Sequence, residues 1–151
     1  MDHSHYAAEL FLQGYNCAQA VAVAFCDVTG LDKDFTAKMI SSFGGGMGRM
    51  REVCGAVSGM LMVAGLLYGY TDPGEDDINK KNHYQLVQDL AGQFRDEVGS
   101  IVCREILKNP PSDPNPSPRT EEYYAVRPCA RMVFTAAKIL DAYIAGHPIG
   151  E

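Results

Sequence analysis

Val53-Cys54-Gly55-Ala56-Val57-Ser58-Gly59-Met60-Leu61-Met62-Val63-Ala64-Gly65-Leu66-Leu67-Tyr68-Gly69-Tyr70 is the stretch on which the fold turns. It is apolar nearly throughout, but glycine interrupts it at 55, 59, 65 and 69, and Thr71-Asp72-Pro73-Gly74 closes it. It is therefore shorter than the run of roughly 20 strongly apolar residues that a membrane-spanning helix needs. A buried helix in the middle of a soluble bundle is expected instead. Gly55, Gly59 and Gly65 would let neighbours come close, and Met60, Leu61, Val63, Leu66 and Leu67 would supply the apolar surface.

Working outward, apolar residues recur at helical spacing, and β-branched runs bounded by hairpin turns are missing. The expected fold is all-α, a compact bundle of about five to seven helices. One helix should cover His5 to Leu12 and stop at Gly14, with His3 and His5 in a disordered start. A second should begin at Asn16, a good N-cap residue, and run toward Gly30. Asp34 can cap a third from Phe35 to about Phe43, and the central helix should then start near Met50. After the Pro73-Gly74 turn, Glu75 to about Asp96 reads as an amphipathic helix with Tyr84, Leu86, Val87, Leu90 and Phe94 on its apolar face. Ser100 can cap a short helix carrying Cys103. Residues 110–118 hold five of the eight prolines and should form an extended surface loop. Glu121 to Ala145 is the last helical stretch, with a kink or a new helix at Pro128 and a frayed tail after Gly146.

At 151 residues, 46% of them hydrophobic, the chain suits a single domain over 1–151. A formal net charge of -6 argues against nucleic acid or an anionic membrane as the main partner. The first residues, Met1-Asp2-His3-Ser4-His5-Tyr6, carry no signal-peptide pattern, so cytoplasmic residence without membrane insertion is expected. Apolar and aromatic side chains around Tyr123, Tyr124, Tyr143 and Ile144 suggest a symmetric homodimer.

Four of the five cysteines, Cys17, Cys54, Cys103 and Cys129, stand where helices should begin. The first turn of a helix offers unpaired N–H groups and the positive end of its dipole, which favour a thiolate. Cys17 and Cys26, nine residues apart, would lie on opposite faces of one helix, so Cys26 is expected to be a buried apolar residue. No CxxC or CxxxxC spacing is present, so neither a zinc ribbon nor a thioredoxin motif can be read, and any shared site must be assembled in three dimensions. Arg51, Arg104, Arg127 and Arg131 lie within three residues of these cysteines, either to screen negative charge or as solvated surface. The run Gly44-Gly45-Gly46-Met47-Gly48 lacks the Lys-Ser/Thr ending of a P-loop; it reads as a tight turn or as a close approach to an anion or cofactor. Ser58, one turn beyond Cys54, could donate to a sulfur. No histidine pairs with a cysteine as a nucleophile and base.

The segment Phe43-Gly44-Gly45-Gly46-Met47-Gly48 leading to Cys54-Gly55-Ala56-Val57-Ser58-Gly59, with Cys17 before it and single Cys103 and Cys129 after it, resembles the C_GCAxxG_C_C family of redox-active proteins over about residues 14–140. The resemblance implies a small helical protein whose characteristic cysteines fall on Cys17, Cys54, Cys103 and Cys129, leaving Cys26 outside. It also implies an association with membrane transporters. A similar module accompanies the haem domain of split-Soret cytochromes, where an iron–sulfur cluster has been proposed; this chain has no CxxCH sequence for haem. The leading expectation is an electron-transfer protein whose four thiolates bind an iron–sulfur cluster, most simply a two-iron one, with an unidentified redox partner. The alternatives are a thiol–disulfide redox protein and non-catalytic binding of zinc or another soft metal.

Overall fold

The structure, a computed structural model, describes residues 2–74 and 77–149. Six helices of eight residues or more carry the fold: α1 His3–Leu12, α2 Cys17–Ala24, α3 Lys33–Ile40, α4 Gly55–Tyr68, α5 Asp77–Val98 and α6 Cys129–Gly146. Shorter helical turns form at Cys26–Thr29, Cys103–Ile106 and Glu121–Val126. Among the described residues there is no strand, and the protein is all-α, with one isolated antiparallel bridge between Val53 and Val102. None of the described helices is long and apolar enough to cross a membrane.

Small residues set the centre. In α2 every residue except Gln19 is buried, and alanines at 18, 20, 22 and 24 let its neighbours approach. Helix α4 lies directly against it. A Cβ on Gly59 would come within 2.7 Å of the Ala18 carbonyl oxygen and 3.1 Å of Val21 Cβ, so only glycine permits this contact. Gly65 behaves differently from expectation, since nothing lies within 4 Å of the position of its Cβ. The same helix buries Met60 and Val63 fully, whereas Leu66 is 49% exposed. Helix α6 packs against α1, α2 and α4, and α5 closes the bundle against α4 and α6. On α5 the buried residues are Leu86, Leu90, Ala91 and Phe94, while Tyr84 faces solvent. Glu75, the expected start of that helix, lies outside the described residues, as do Gly150 and Glu151 of the tail.

Several boundaries differ from the sequence reading, each for a local reason. The start of the chain is ordered: Asp2 caps α1 by accepting from the Ser4 N–H at 3.0 Å, and His3 is buried at 5% exposure. His3 stacks on Phe25 at 4.2 Å between ring centres, with Nδ1 2.6 Å from Asp141 and Nε2 2.9 Å from Asp27. It thereby ties α1 to α6 and to the turn after α2. The second helix breaks at Phe25 rather than running on to Gly30, and Gly30 terminates the following turn with φ 76°. Helix α3 is capped by Asp32, whose carboxylate accepts the Phe35 N–H at 2.9 Å, instead of by Asp34. Helix α4 starts at Gly55 rather than near Met50, because Val53 just before it forms the antiparallel bridge with Val102 and the Cys54 N–H is taken by the Ile101 carbonyl. Arg127 is extended, as a residue before proline tends to be, and α6 is a new helix rather than a kinked continuation. Tyr123, Tyr124, Tyr143 and Ile144 are half-buried against the core, not an exposed patch; the exposed apolar side chains include Phe35, Met39, Phe43, Met47 and Met50.

Candidate functional site

Three main-chain hydrogen bonds bring two distant cysteines to one place. The Cys54 N–H donates to the Ile101 carbonyl at 2.7 Å, the Cys103 N–H to the Glu52 carbonyl at 2.6 Å, and the Arg104 N–H to the Arg51 carbonyl at 3.1 Å. With Val53 opposite Val102, Cys54 and Cys103 stand diagonally on the same face of this bridge. Diagonal positions on paired strands are about 7–8 Å apart, wider than the usual disulfide separation. Cys17 comes from the first turn of α2, where Asn16 forms a capping box with Gln19. A Cβ on Gly55 would collide with the Cys17 sulfur, so the glycine after Cys54 makes room for that thiol. Cys129 opens α6 behind Pro128.

All four thiols, Cys17, Cys54, Cys103 and Cys129, line a single cavity of about 290 Å³. Cys26 does not: its thiol lies 3.4 Å from Thr36 Oγ1, in a separate buried contact. All five cysteines are free, and no group of three or more His, Cys, Asp or Glu side chains among the described residues is arranged to hold a metal ion.

Electrostatics at the floor run against the helix-start argument. Burial pushes the Cys54 thiol well above its ordinary range, and neighbouring Cys17 adds to the effect. The N–H groups of Ala56 and Val57, at the start of α4, act in the expected opposite direction but do not prevail. Burial also raises Cys103, partly offset by the Arg51 guanidinium, and pushes Cys129 up to about 12, with Cys17 and Cys103 contributing. Desolvation of the anion thus outweighs the helix dipole at all three.

The glycine run forms one wall. Gly45, Gly46 and Gly48 have φ of 66°, 72° and 60°, and Met47, Arg49 and Arg51 share the left-handed region. At Gly46 a Cβ would sit 2.7 Å from the Glu52 nitrogen and 2.8 Å from Cys103 Cβ, which ties this turn to the cysteine it backs. The coil aims Arg51 inward. Only 4% exposed, Arg51 places Nη1 3.8 Å from the Cys103 sulfur and donates from Nε to the Pro111 carbonyl at 2.9 Å. Pro114, Pro116 and Ser117 also line the cavity, so the proline-rich loop forms one part of its wall, the roof.

Of the four arginines singled out by proximity, Arg51 and Arg127 line the cavity. Arg104 instead pairs with Glu52 and braces the Arg51 carbonyl, and Arg131 is exposed elsewhere. Sequence proximity missed two that do line it, Arg49 and Arg119. Arg49 directly follows the glycine run, and Arg119 directly follows the proline-rich loop; those neighbours were the available signal. Among the described residues the Ser58 hydroxyl makes no hydrogen bond to a cysteine sulfur, although its main-chain N–H donates to the Cys54 carbonyl at 3.1 Å; the N–H groups of Ala56 and Val57 act on the Cys54 sulfur instead.

A family model described as "Putative redox-active protein (C_GCAxxG_C_C)" matches residues 15–143. No curated protein and no solved structure matches the chain.

Proposed function

The chain belongs to the C_GCAxxG_C_C redox-active family, and from that premise we propose that it is an electron-transfer protein in which Cys17, Cys54, Cys103 and Cys129 hold an iron–sulfur cluster. The observation that carries the reading is the convergence of four thiols, from four separate elements, on one cavity lined by no carboxylate. Four thiolates are the ordinary ligand set of such clusters.

What supports the reading is the donor set, four thiols with no histidine or carboxylate in the lining, which suits a sulfur-ligated cluster. Burial raises the Cys54, Cys103 and Cys129 thiols, so three of the four are poor attacking groups for thiol exchange at neutral pH. When bound, a cluster supplies one-electron oxidation and reduction. The protein's part is to hold the sulfurs, exclude water from three buried cysteines, and offset the thiolate charge with Arg51 and the first N–H groups of α4. Loading iron would displace the thiol protons, so proton release should accompany reconstitution.

Anaerobic purification or reconstitution with iron and sulfide tests the reading. The expected product is brown, with visible absorption that Cys54→Ser abolishes and Cys26→Ser leaves intact. Equal loss in both variants, or no iron in the wild type, would overturn it.

A further inference from the structure

We propose that the cavity is also an anion site: in the metal-free, reduced protein it binds a small tetrahedral oxyanion, of the sulfate, phosphate or thiosulfate kind, through Arg49, Arg51 and Arg127. This does not depend on the cluster, because it follows from the arginines rather than from the thiols.

Arg49, Arg51, Arg119 and Arg127 all line the cavity, and no aspartate or glutamate does. Among the described residues the one arginine paired to a carboxylate is Arg104, which does not line the cavity. Arg119 is fully engaged: its guanidinium donates to the carbonyls of Phe11 at 3.1 Å and Tyr15 at 3.0 Å and lies over the Phe11 ring at 4.6 Å. The other three are not. Arg51 is buried, with one carbonyl and one sulfur as its partners. Arg49 has a buried Nε without any hydrogen-bond partner; the exposed roof carboxylate of Asp113 feels its charge but forms no ion pair with it. Arg127 has its Cζ 5.1 Å from the centre of the Tyr123 ring, and among the described residues its guanidinium makes no hydrogen bond, so its N–H groups are left for an acceptor.

A buried guanidinium without a counter-ion is costly, as is a buried donor without an acceptor. A negatively charged occupant with several acceptor oxygens removes both costs at once. Planar guanidinium forks match oxyanions in geometry, and a tetrahedral anion can accept from three of them in different directions. The cavity volume of about 290 Å³ suits a compact anion beside the thiols at its floor.

Isothermal titration of the metal-free protein with sodium sulfate, phosphate and thiosulfate, in reducing buffer at constant ionic strength, tests the site. Saturable one-to-one binding is expected for at least one of the three. Arg49→Gln and Arg127→Gln should each weaken it about tenfold or more, the loss of a charge-assisted hydrogen bond, while Arg127→Lys keeps part of it. In the wild type, the bound anion should also protect Arg49 and Arg127 from phenylglyoxal, a readout that needs no variant to fold. Absence of saturable binding by all three anions overturns the proposal, as does unchanged affinity in both glutamine variants or equal phenylglyoxal modification with and without anion. Failure of the cluster is read separately: Cys54→Ser should lose iron yet bind the anion as the wild type does, whereas Arg127→Gln should bind the anion about tenfold more weakly yet take up iron.

Discussion

Cys17 and Cys54 lie where α2 and α4 touch with only glycine between them, whereas Pro114 and Pro116, lining the same cavity, belong to a segment outside any helix. The floor is held by packing: its thiols are the ends of buried helices, and the space for one of them exists because Gly55 has no side chain. The roof is held by chain stiffness and a few anchors, chiefly Arg51 gripping Pro111 and Arg119 gripping the carbonyls of Phe11 and Tyr15. Their titration differs as well. Burial moves the Cys54, Cys103 and Cys129 thiols upward, while the Asn115 N–H holds the roof's exposed Asp113 below the usual carboxylate range. Changes at the floor should therefore register as stability, and changes at the roof as access.

The largest expected effect is alkaline destabilisation of the metal-free, reduced protein. For a thiol whose value is raised by folding, both states are protonated below about pH 9, and its contribution is intact there. As pH climbs from about 9 toward 12, the unfolded chain releases protons that the folded protein keeps, so stability falls. Each such thiol adds a slope of about 1.4 kcal/mol per pH unit. Denaturant titrations between pH 8 and 11 should show the fall, and Cys129→Ser should flatten it by about one thiol's share. An identical slope in that variant would mean that the Cys129 thiol is not protonated by burial, and the contrast between floor and roof would fail at that point.

The sequence made the helices legible but not the pairing that assembles the site. Helical spacing, Asn16, Pro128 and the glycines at 55 and 59 each act within a turn or two of themselves, so their consequences can be read locally. The main-chain pairing of residues 51–54 with 101–104 around the Val53–Val102 bridge joins segments about fifty residues apart and has no local pattern; it moved the start of α4 from Met50 to Gly55. Burial is likewise a property of the assembled chain. For this reason the helix-start argument located the cysteines correctly, yet gave the wrong direction for the acidity of Cys54, Cys103 and Cys129. The proline content of 110–118 shows an extended loop, but nothing in it says that the loop covers the cysteines.

A pair of substitutions within α4 sharpens the difference between packed floor and free surface. Gly55→Ala drives a methyl group into the Cys17 sulfur and the Phe43 carbonyl, and should cost about 1–3 kcal/mol of stability, together with loss of iron on reconstitution. Gly65→Ala, in the same helix, meets nothing within 4 Å and should stabilise by about 0.5–1 kcal/mol through helix propensity alone. Thermal denaturation of the two variants beside the wild type checks both signs. If Gly55→Ala were as stable as the wild type, Cys17 would not be seated against it.

At the roof the effect on stability should be smaller than that of Gly55→Ala, and the readout is access. Pro114→Ala combined with Pro116→Ala removes two rings that line the cavity but no hydrogen bond, since proline has no N–H to donate. The main loss is stiffness, which acts through the unfolded chain at about 0.4–1 kcal/mol per site. A looser roof should admit an alkylating reagent more often, so the cavity thiols should be modified several-fold faster, as followed by mass spectrometry at a fixed pH where the thiolate fraction is unchanged. Cys26, outside the cavity against Thr36, is the internal reference and should react at its wild-type rate. Faster modification of Cys26 along with the others would point to general loosening of the bundle. Unchanged rates at Cys17, Cys54, Cys103 and Cys129 would mean that the proline-rich segment does not control entry, leaving the glycine wall and its arginines as the route to the thiols.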